Sequence, residues 1–360
     1  MRHNRASRRK QQDNMRGARA LAVGMVIAAG LTPSAAFADE GGVSFWLPGL
    51  FGSLAAVPVT PGWSVGSFFY NTNVRAGADV ATAREITIGR FNPTLNLNLN
   101  ANLNANAEIN WFQPTYTFAT PVLGGQFAVS MGAWLGGAST NLTGTVTASV
   151  PPFTLVRTDS ITDSVSGNGD LYPFVSQKWH QGVNNFMIYA AGDIPVGTYS
   201  SSSLANLGIG HGAADAGAGY TYLDQTKGHE LSAVGGFTYN LINTSTNYQN
   251  GIDFHLDWGA SQYLSKQLFV GAVGYLYQQV TGDSGSGDRV GPFESRVIGV
   301  GPQVGYIIPM GDMQGYLNVK GYGEFDAHDR PSGFNVWLTF ALSPAAPTSS
   351  MTKTPMYRKQ

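Results

Sequence analysis

The sequence predicts an all-β fold: an up-and-down transmembrane antiparallel β-barrel of about twelve strands, preceded by an N-terminal plug segment. Three observations predict this class. They are a polarity that alternates residue by residue, a low charge content without a long apolar run, and a regular succession of short and long polar connections. A Gly-rich soluble β-sheet with one dry face is the alternative that these patterns leave open.

The clearest alternation is the stretch "LNLNLNANLNANAEINW" at residues 95–111. Its odd positions are all apolar, and its even positions are seven Asn and Glu108. Successive side chains of an extended strand point to opposite faces, so this strand has one apolar and one polar face. We expect the apolar face to meet lipid or lipopolysaccharide and the polar face to line the lumen. The lumen candidates on this strand are Asn98, Asn100, Asn102 and Asn104.

The extended path continues to residue 119, which is longer than the about 9 to 11 residues that cross a membrane. The wall is therefore expected to project outward at this strand. The apolar positions change from odd numbers at Trp111 to even numbers at Tyr116. A β-bulge near Pro114 is expected to restore the facing.

Composition favours a membrane barrel. Charged residues make up 12% of the 360 residues, aromatic residues also reach 12%, and there are 46 glycines. No apolar run of about 18 residues or more occurs, so the sequence predicts no membrane-spanning helix. Cysteine is absent, which excludes disulfides and thiolate metal sites.

Residues 1–38 have the features of a secretory signal peptide. Seven basic side chains precede the apolar stretch "ALAVGMVIAAGL", and "AFA" at 36–38 is a small-x-small cleavage site. Removal of this segment leaves 14 Lys and Arg (21 minus 7) against 21 Asp and Glu (22 minus 1), a formal charge of −7. A negative net charge argues against nucleic acid as a partner.

An apolar segment at 39–61 would begin the mature chain. It is interrupted by Pro48, Pro58 and Pro61, and it is too short to span a bilayer. Because its large apolar side chains would be costly in water, we expect it to fold into the lumen as a plug. A disordered or laterally packed leader is the alternative. The plug candidates are Phe45, Trp46, Leu50 and Phe51. The barrel would cover 62–343, and a flexible tail 344–360.

Turn-rich connections of two sizes separate the strand-like stretches from Trp63 onward. Short ones lie at 120–125, 180–184, 224–228, 264–267 and 309–312, and long ones near 76–93, 143–168, 198–212, 243–250, 282–293 and 326–332. They alternate strictly, as in a barrel with short periplasmic turns and long outer loops. Six long and five short connections give twelve strands, and fourteen remain possible.

Five further lumen candidates carry titratable groups. They are Asp253, His255, Asp257, Lys320 and Glu324. The first three alternate on one face of "IDFHLDW", in two-residue steps of about 6.6 to 6.8 Å. No histidine partner at a metal-ligand spacing is evident, so we expect no metal site. A hydrated hydrogen-bond network or an ion pair is their simplest role, and selection of a substrate is the alternative. His211 and Asp215 are weaker candidates of the same kind.

Several stretches resemble one known family. They include "SFWLPGLFGSLAAVP", "PTYTFATPVLGG", "GDIPVG", "NGIDFHLDWGASQYLSK" and "GYLNVKGYGEFDA". Together they resemble the outer-membrane protein family named for the meta-cleavage pathway of phenol degradation, over nearly all of residues 42–344. The resemblance implies an outer-membrane β-barrel of a Gram-negative bacterium that transports aromatic or other hydrophobic compounds. It implies no catalytic residue and no cofactor.

The expected partners follow from this resemblance. They are outer-membrane lipid and lipopolysaccharide, the outer-membrane assembly machinery, and a small hydrophobic solute. Two other functions remain open: an enzyme of the lipid hydrolase type that uses His255, and a structural or adhesive barrel without transport.

Overall fold

The computed structural model describes residues 44–77, 98–150, 153–288 and 294–345. The predicted signal peptide, the first residues of the predicted plug and nearly all of the predicted tail lie outside the described residues. Of Asn98 and Asn100, only the backbone is described.

The described residues form one antiparallel sheet of thirteen strands. The strands are β1 (Gly62–Ala76), β2 (Asn98–Thr117), β3 (Gln126–Val150), β4 (Phe153–Asn168), β5 (Tyr172–Gln181), β6 (Asn184–Asp193), β7 (Ala213–Asp224), β8 (His229–Asn240), β9 (Asp253–Tyr263), β10 (Leu268–Gln279), β11 (Arg296–Met310), β12 (Met313–His328) and β13 (Ser332–Pro344). In these residues, no helix is long and apolar enough to cross a membrane.

The sheet closes on itself into a barrel. β1 pairs with both β2 and β13, β2 pairs with β3, and the first residues of β3 pair with β5. β4 pairs only with the rest of β3, so it is an extra strand beside a ring of twelve. The predicted class and the strand count are therefore confirmed, and β4 is the addition.

The five predicted short connections all occur, and they lie at one end of the barrel together with its two chain ends. We call this the short-turn end and the opposite one the long-loop end. The predicted long connection at 143–168 is wrong. β3 continues through Val150 and returns as β4, with unbroken pairing from Leu135↔Asn168 to Val150↔Phe153. Its Thr, Ser, Gly and Asp content resembles a loop, but these residues lie in a strand pair that extends the wall.

The expected alternation of faces is confirmed on β13 and β9. Phe334 and Leu338 are exposed on the outer face of β13, whereas Asn335 and Trp337 are buried inside. On β9 the inward side chains are Asp253, His255 and Asp257, and all three are buried.

The expected facing of β2 is wrong, because its apolar positions point inward. Leu103 is buried against Leu142 and Leu204, whereas Asn102 and Asn104 are exposed on the opposite face. Leu103 lines a mainly apolar cavity in the interior, and the outer face at this height lies where the wall rises above its apolar band. Phe112, on the same outer face as Asn104, is exposed where that band begins.

The expected β-bulge at Pro114 is also absent. Pairing runs without a register shift from Gly62↔Thr117 to Ala76↔Leu103, with Val65 opposite Pro114. Outward polar side chains bond across the strands and support this extended wall. Asn71 donates to Glu108 at 3.4 Å, and Asn73 bonds to Asn106.

Candidate functional site

An N-terminal segment, residues 44–61, lies inside the barrel and is held there by two carboxylates. Asp257 on β9 accepts hydrogen bonds from the backbone N–H groups of Gly49 (2.9 Å) and Phe51 (3.0 Å). Glu230 on β8 accepts from the N–H of Leu54 at 2.9 Å and from the Ser53 hydroxyl at 2.6 Å. These acceptors satisfy amides that two tight turns leave without strand partners.

Two lysines, the half-buried Lys178 and the buried Lys320, bind the carbonyl groups of the same segment. Lys178 Nζ donates to the carbonyl of Ala55 at 2.8 Å and to that of Val57 at 3.2 Å. Lys320 Nζ donates to the carbonyl of Gly49 and to that of Phe51 at 3.1 Å. Lys320 was expected in an ion pair, but its hydrogen bonds among the described residues go to the carbonyls of Gly49, Leu50 and Phe51. The rings of Trp337 and Tyr322 lie 4.8 and 5.8 Å from its Nζ.

The sequence explains the shape of the segment. Prolines prevent it from joining the sheet as a strand, because proline lacks the N–H that a ladder needs. Turns close with hydrogen bonds from Leu50 N to Leu47 O and from Val57 N to Leu54 O. Gly49 and Leu54 have positive φ values of 88° and 68°, and the Leu54 conformation is rare for a residue with a side chain.

The predicted Asp253, His255 and Asp257 do not converge on one point. His255 Nε2 lies 2.9 Å from Asp215 Oδ2, while Asp253 accepts a hydrogen bond from Asn240 at 2.8 Å. Asp257 holds the N-terminal segment. Among the described residues, no group of His, Asp and Glu side chains could hold a metal ion.

Trp46 covers His255 on the interior side. The two rings stack with centroids 3.6 Å apart, and the Tyr189 hydroxyl lies 3.4 Å from the imidazole. Thr238 donates to Asp215 at 2.6 Å, so the carboxylate that orients the imidazole is itself held. The arrangement fixes the segment to the wall of β6, β7 and β9.

Beside the segment lies a cavity of about 450 Å³. Its lining is mainly apolar and aromatic, and it contains Phe45, Trp46, Leu50 and Phe51 of the segment together with inward side chains of β1, β2, β3 and β5. Trp111 forms one wall. Its ring stacks on Phe68 at 5.3 Å and lies 4.9 Å from Tyr172.

Two charged side chains, Glu324 and Arg330, are among the residues that line the cavity. Glu324 accepts hydrogen bonds from the Tyr275 hydroxyl at 2.6 Å and from the N–H of Gly333 at 2.8 Å. The Arg330 guanidinium lies over the ring of Tyr277 at 4.2 Å and donates to Ser44 at 3.3 Å. Glu324, which the sequence places among the inward candidates, lies at the cavity, and its carboxylate is hydrogen-bonded.

An inward-folded loop, residues 194–212, contributes Leu204 and Ile209 to the cavity lining. It is anchored by Asp170, between β4 and β5, whose carboxylate accepts hydrogen bonds from the N–H groups of Gly197 (2.7 Å) and Ile209 (2.8 Å). Burial raises the pKa of Asp170 above its ordinary value, and these two hydrogen bonds act in the opposite direction.

The sequence did not identify Phe68, Trp111 and Tyr172 as cavity residues. A signal existed, because "SFFYN" places an aromatic residue on each face of β1, which a strand with a hydrated lumen would not require. Assigning the Leu and Ala face of β2 to lipid hid the apolar interior.

Comparison with known proteins adds a family and a fold. A profile of the family described as "Putative MetA-pathway of phenol degradation" matches residues 85–340. A search of curated proteins gave no significant match.

The comparison with solved structures includes the three that follow. An outer membrane channel from Pseudomonas putida F1 is 12% identical, with a TM-score of 0.56 over 80% of this chain and 97% of that chain. A Pseudomonas aeruginosa FadL homologue is 10% identical, with a TM-score of 0.33 over 79% of this chain and 89% of its own. The translocator domain of the autotransporter NalP from Neisseria meningitidis is 11% identical, with a TM-score of 0.33, 81% of this chain and 91% of its own being covered.

Proposed function

This chain belongs to the family described as "Putative MetA-pathway of phenol degradation", and we propose that it is an outer-membrane channel for small hydrophobic or aromatic compounds. The observation that carries this proposal is the closed barrel around an apolar, aromatic-lined cavity. A structural barrel needs no such space, because side chains can fill its interior.

The cavity supports the solute class. Its volume of about 450 Å³ lies within the range of small-molecule sites, about 300–1,000 Å³. Flat rings such as Trp111 and Tyr172 offer stacking surfaces to an aromatic guest. A monocyclic aromatic compound would lose its hydration water here and gain contacts with rings and aliphatic side chains.

The N-terminal segment would act as the plug of this channel. Charged side chains bind its backbone from several strands, so it stays in the interior without forming part of the sheet. It would block a wide aqueous path and restrict passage to the cavity beside it. Ions would be excluded, because the cavity wall gives little to replace their hydration.

An outer-membrane location agrees with the outer surface of the barrel. Large apolar side chains such as Phe186, Phe237, Val304 and Leu338 are exposed there, at a cost that lipid contact would remove. The partners of this surface would be lipid and lipopolysaccharide, and the outer-membrane assembly machinery would insert the barrel.

The rival functions have less support. A lipid hydrolase would need a serine hydroxyl next to its histidine. The hydrogen-bond partners described for His255 are Asp215 and Tyr189, and Trp46 covers its ring. An adhesive barrel would not need a cavity that the N-terminal segment borders.

A pair of substitutions on β2 tests the proposal. Ala107 lines the cavity, whereas Asn110 is exposed on the outer face three residues away. Ala107→Phe should reduce binding of toluene or phenol to the purified protein, measured by calorimetry, and their uptake at low concentration by cells with intact lipopolysaccharide. Asn110→Phe should behave as the parent protein. Equal uptake by parent cells and by cells without the protein would refute the transport function.

A further inference from the structure

The cavity extends far along the barrel wall toward the short-turn end. On β1 its lining runs from Val74 to Gly66, and on β2 it runs from Leu103 to Gln113. Gly66 and Gln113 lie opposite each other in the strand register, and β1 begins only four residues before Gly66, at Gly62. The eight residue steps from Gly66 to Val74 correspond to roughly 27 Å of strand. The cavity is thus a passage along the wall that almost reaches the end of the barrel.

Gly66 leaves this passage open. A Cβ placed on Gly66 would have no heavy atom within 4 Å. By contrast, a Cβ on Gly132 would meet the Trp111 ring at 2.1 Å, so that glycine makes room for a neighbouring side chain. Gly66 is also absent from the residues with positive φ. Neither packing nor backbone conformation requires glycine at position 66, and the consequence of the missing side chain is free space.

The side chain opposite Gly66 leans away from it. Gln113 accepts a hydrogen bond from Trp111 Nε1 at 3.2 Å and donates one to the Ser130 hydroxyl at 2.9 Å. Ser130 lies on β3 and Gly66 on β1, which flank β2 on opposite sides. The amide is therefore held toward β3, and the space in front of β1 stays free.

The hydrogen bonds that hold the N-terminal segment go to strands other than those of this wall. The side-chain hydrogen bonds described between residues 44–61 and the strands go to β3, β5, β7, β8, β9, β11 and β12. A second, smaller space of about 130 Å³ adjoins the segment near β12 and β13, and it shares Leu50, Phe51 and Thr339 with the main cavity. Both spaces thus lie between the segment and one or more of the strands β1, β2 and β13, to which the segment has no described hydrogen bond.

We propose that solute leaves the cavity through a passage beside Gly66, between the wall of β1, β2 and β13 and the N-terminal segment, while the segment stays in place. The inference rests on the proposed transport function and identifies Gly66 as its permeation-determining residue. The inward side chains near this point, Gln113 and Thr339, are neutral hydrogen-bonding groups. The passage therefore suits an uncharged aromatic compound with a hydroxyl group better than a carboxylate.

The first experiment compares two glycines. Gly323 on β12 also has no heavy atom within 4 Å of an added Cβ, but it lies on the exposed outer face. Gly66→Leu should reduce phenol uptake to the level of cells without the protein. Gly323→Leu should keep the parent values, and both variants should migrate as folded barrels before boiling. Parent-like uptake by Gly66→Leu would overturn the proposal and leave the transport function intact.

A second measurement does not depend on transport. The chain has no cysteine, so Gly66→Cys gives a single thiol. In the folded barrel this thiol should react rapidly with N-phenylmaleimide, a small neutral aromatic reagent. A cysteine at Val273, which is 0% exposed in the interior, should not react. An unreactive Gly66→Cys chain would overturn the open passage even if the parent protein transports no solute.

Discussion

The indole ring of Trp46 lies flat on the imidazole ring of His255, with centroids 3.6 Å apart and an angle of 12° between the planes. This contact joins the N-terminal segment to β9. Trp46 is 3% exposed, so it contributes one of the largest buried surfaces of the segment.

Trp46→Ala should loosen the segment without unfolding the barrel. Truncation of a buried tryptophan costs roughly 3–5 kcal/mol, and the loss falls on the segment because the strand ladder does not depend on it. We expect higher and noisier single-channel conductance and unchanged electrophoretic migration of the folded barrel. Trp63→Ala is the control, since Trp63 is 66% exposed on the outer face. Quiet, parent-like traces from Trp46→Ala would show that this stack does not secure the segment.

Asp257→Asn should release the turn at Gly49 and Phe51. The carboxylate binds two N–H groups, and hydrogen bonds to a charged group contribute about 1.5–3 kcal/mol each. An amide offers only one acceptor oxygen and removes the negative charge near Lys320. We expect faster hydrogen exchange at the amides of residues 49 and 51.

Asp312→Asn is the control for this variant. Asp312 lies in the exposed turn between β11 and β12, away from the interior. If both variants exchanged at the same rate as the parent protein, the carboxylate of Asp257 would not be an anchor.

The sequence predicts the barrel well because its evidence is local. Alternation of apolar and polar residues identifies a strand wherever the two faces of the sheet meet different surroundings. The succession of short and long connections then gives the number of strands. The alternation does not show whether the apolar face of a strand points into the barrel or outward. Leu103 and Asn104 could be exchanged between the two faces without changing the pattern, and only the packing of Leu103 on Leu142 decides.

The cavity is harder to predict because its residues are distant in sequence. Trp111 on β2 meets Phe68 on the neighbouring β1, and it reaches over Gly132 of β3 to meet Tyr172 on β5. Likewise, the partner of His255 is Asp215 on β7, which no spacing along the chain indicates. The N-terminal segment is bound mainly through its backbone N–H and C=O groups, which every residue type has, so the sequence does not indicate these contacts.

Exchanging the residue types at 103 and 104 tests the orientation of β2. Leu103→Asn buries an amide among Leu142 and Leu204, where a polar group without a partner costs about 1–3 kcal/mol. Asn104→Leu changes an exposed position and should stay within about 0.5 kcal/mol. The temperature at which the folded band disappears on electrophoresis should fall only for Leu103→Asn. A drop for Asn104→Leu alone would place the polar face of β2 inside.

Asp170 should make the 194–212 loop sensitive to pH. Its pKa is raised in the folded protein, so folding favours the protonated carboxyl. That contribution is fully present below the ordinary aspartate pKa of about 3.9 and is lost as the pH rises through the raised value. Protection factors of the Gly197 and Ile209 amides should therefore fall with increasing pH in this window. In Asp170→Asn they should not change, and an identical pH dependence in that variant would assign the effect to another group.

Deleting the N-terminal segment should test its proposed role as a plug separately from the role of the barrel. Without residues 44–58 the strands keep all their ladder hydrogen bonds, but Asp257, Glu230, Lys178 and Lys320 face an open interior. We expect an assembled barrel with raised ion conductance, because water can fill the vacated space around these charges. Selective uptake of hydrophobic solutes should fall, since Phe45 and Trp46 no longer line the cavity.

A reversible disulfide between the N-terminal segment and the barrel tests whether the segment stays in place or moves out during transport. The Ser53 and Ser261 hydroxyls lie 2.7 Å apart, and the chain has no other cysteine to interfere with a Ser53→Cys, Ser261→Cys pair. The disulfide would tie the segment to β9 at a point where the two already touch. If solute passes beside a stationary segment, uptake of phenol should be equal in the oxidised and reduced states. Uptake that stops on oxidation and returns on reduction would instead require the segment to move with each passage, because the disulfide restricts only that displacement.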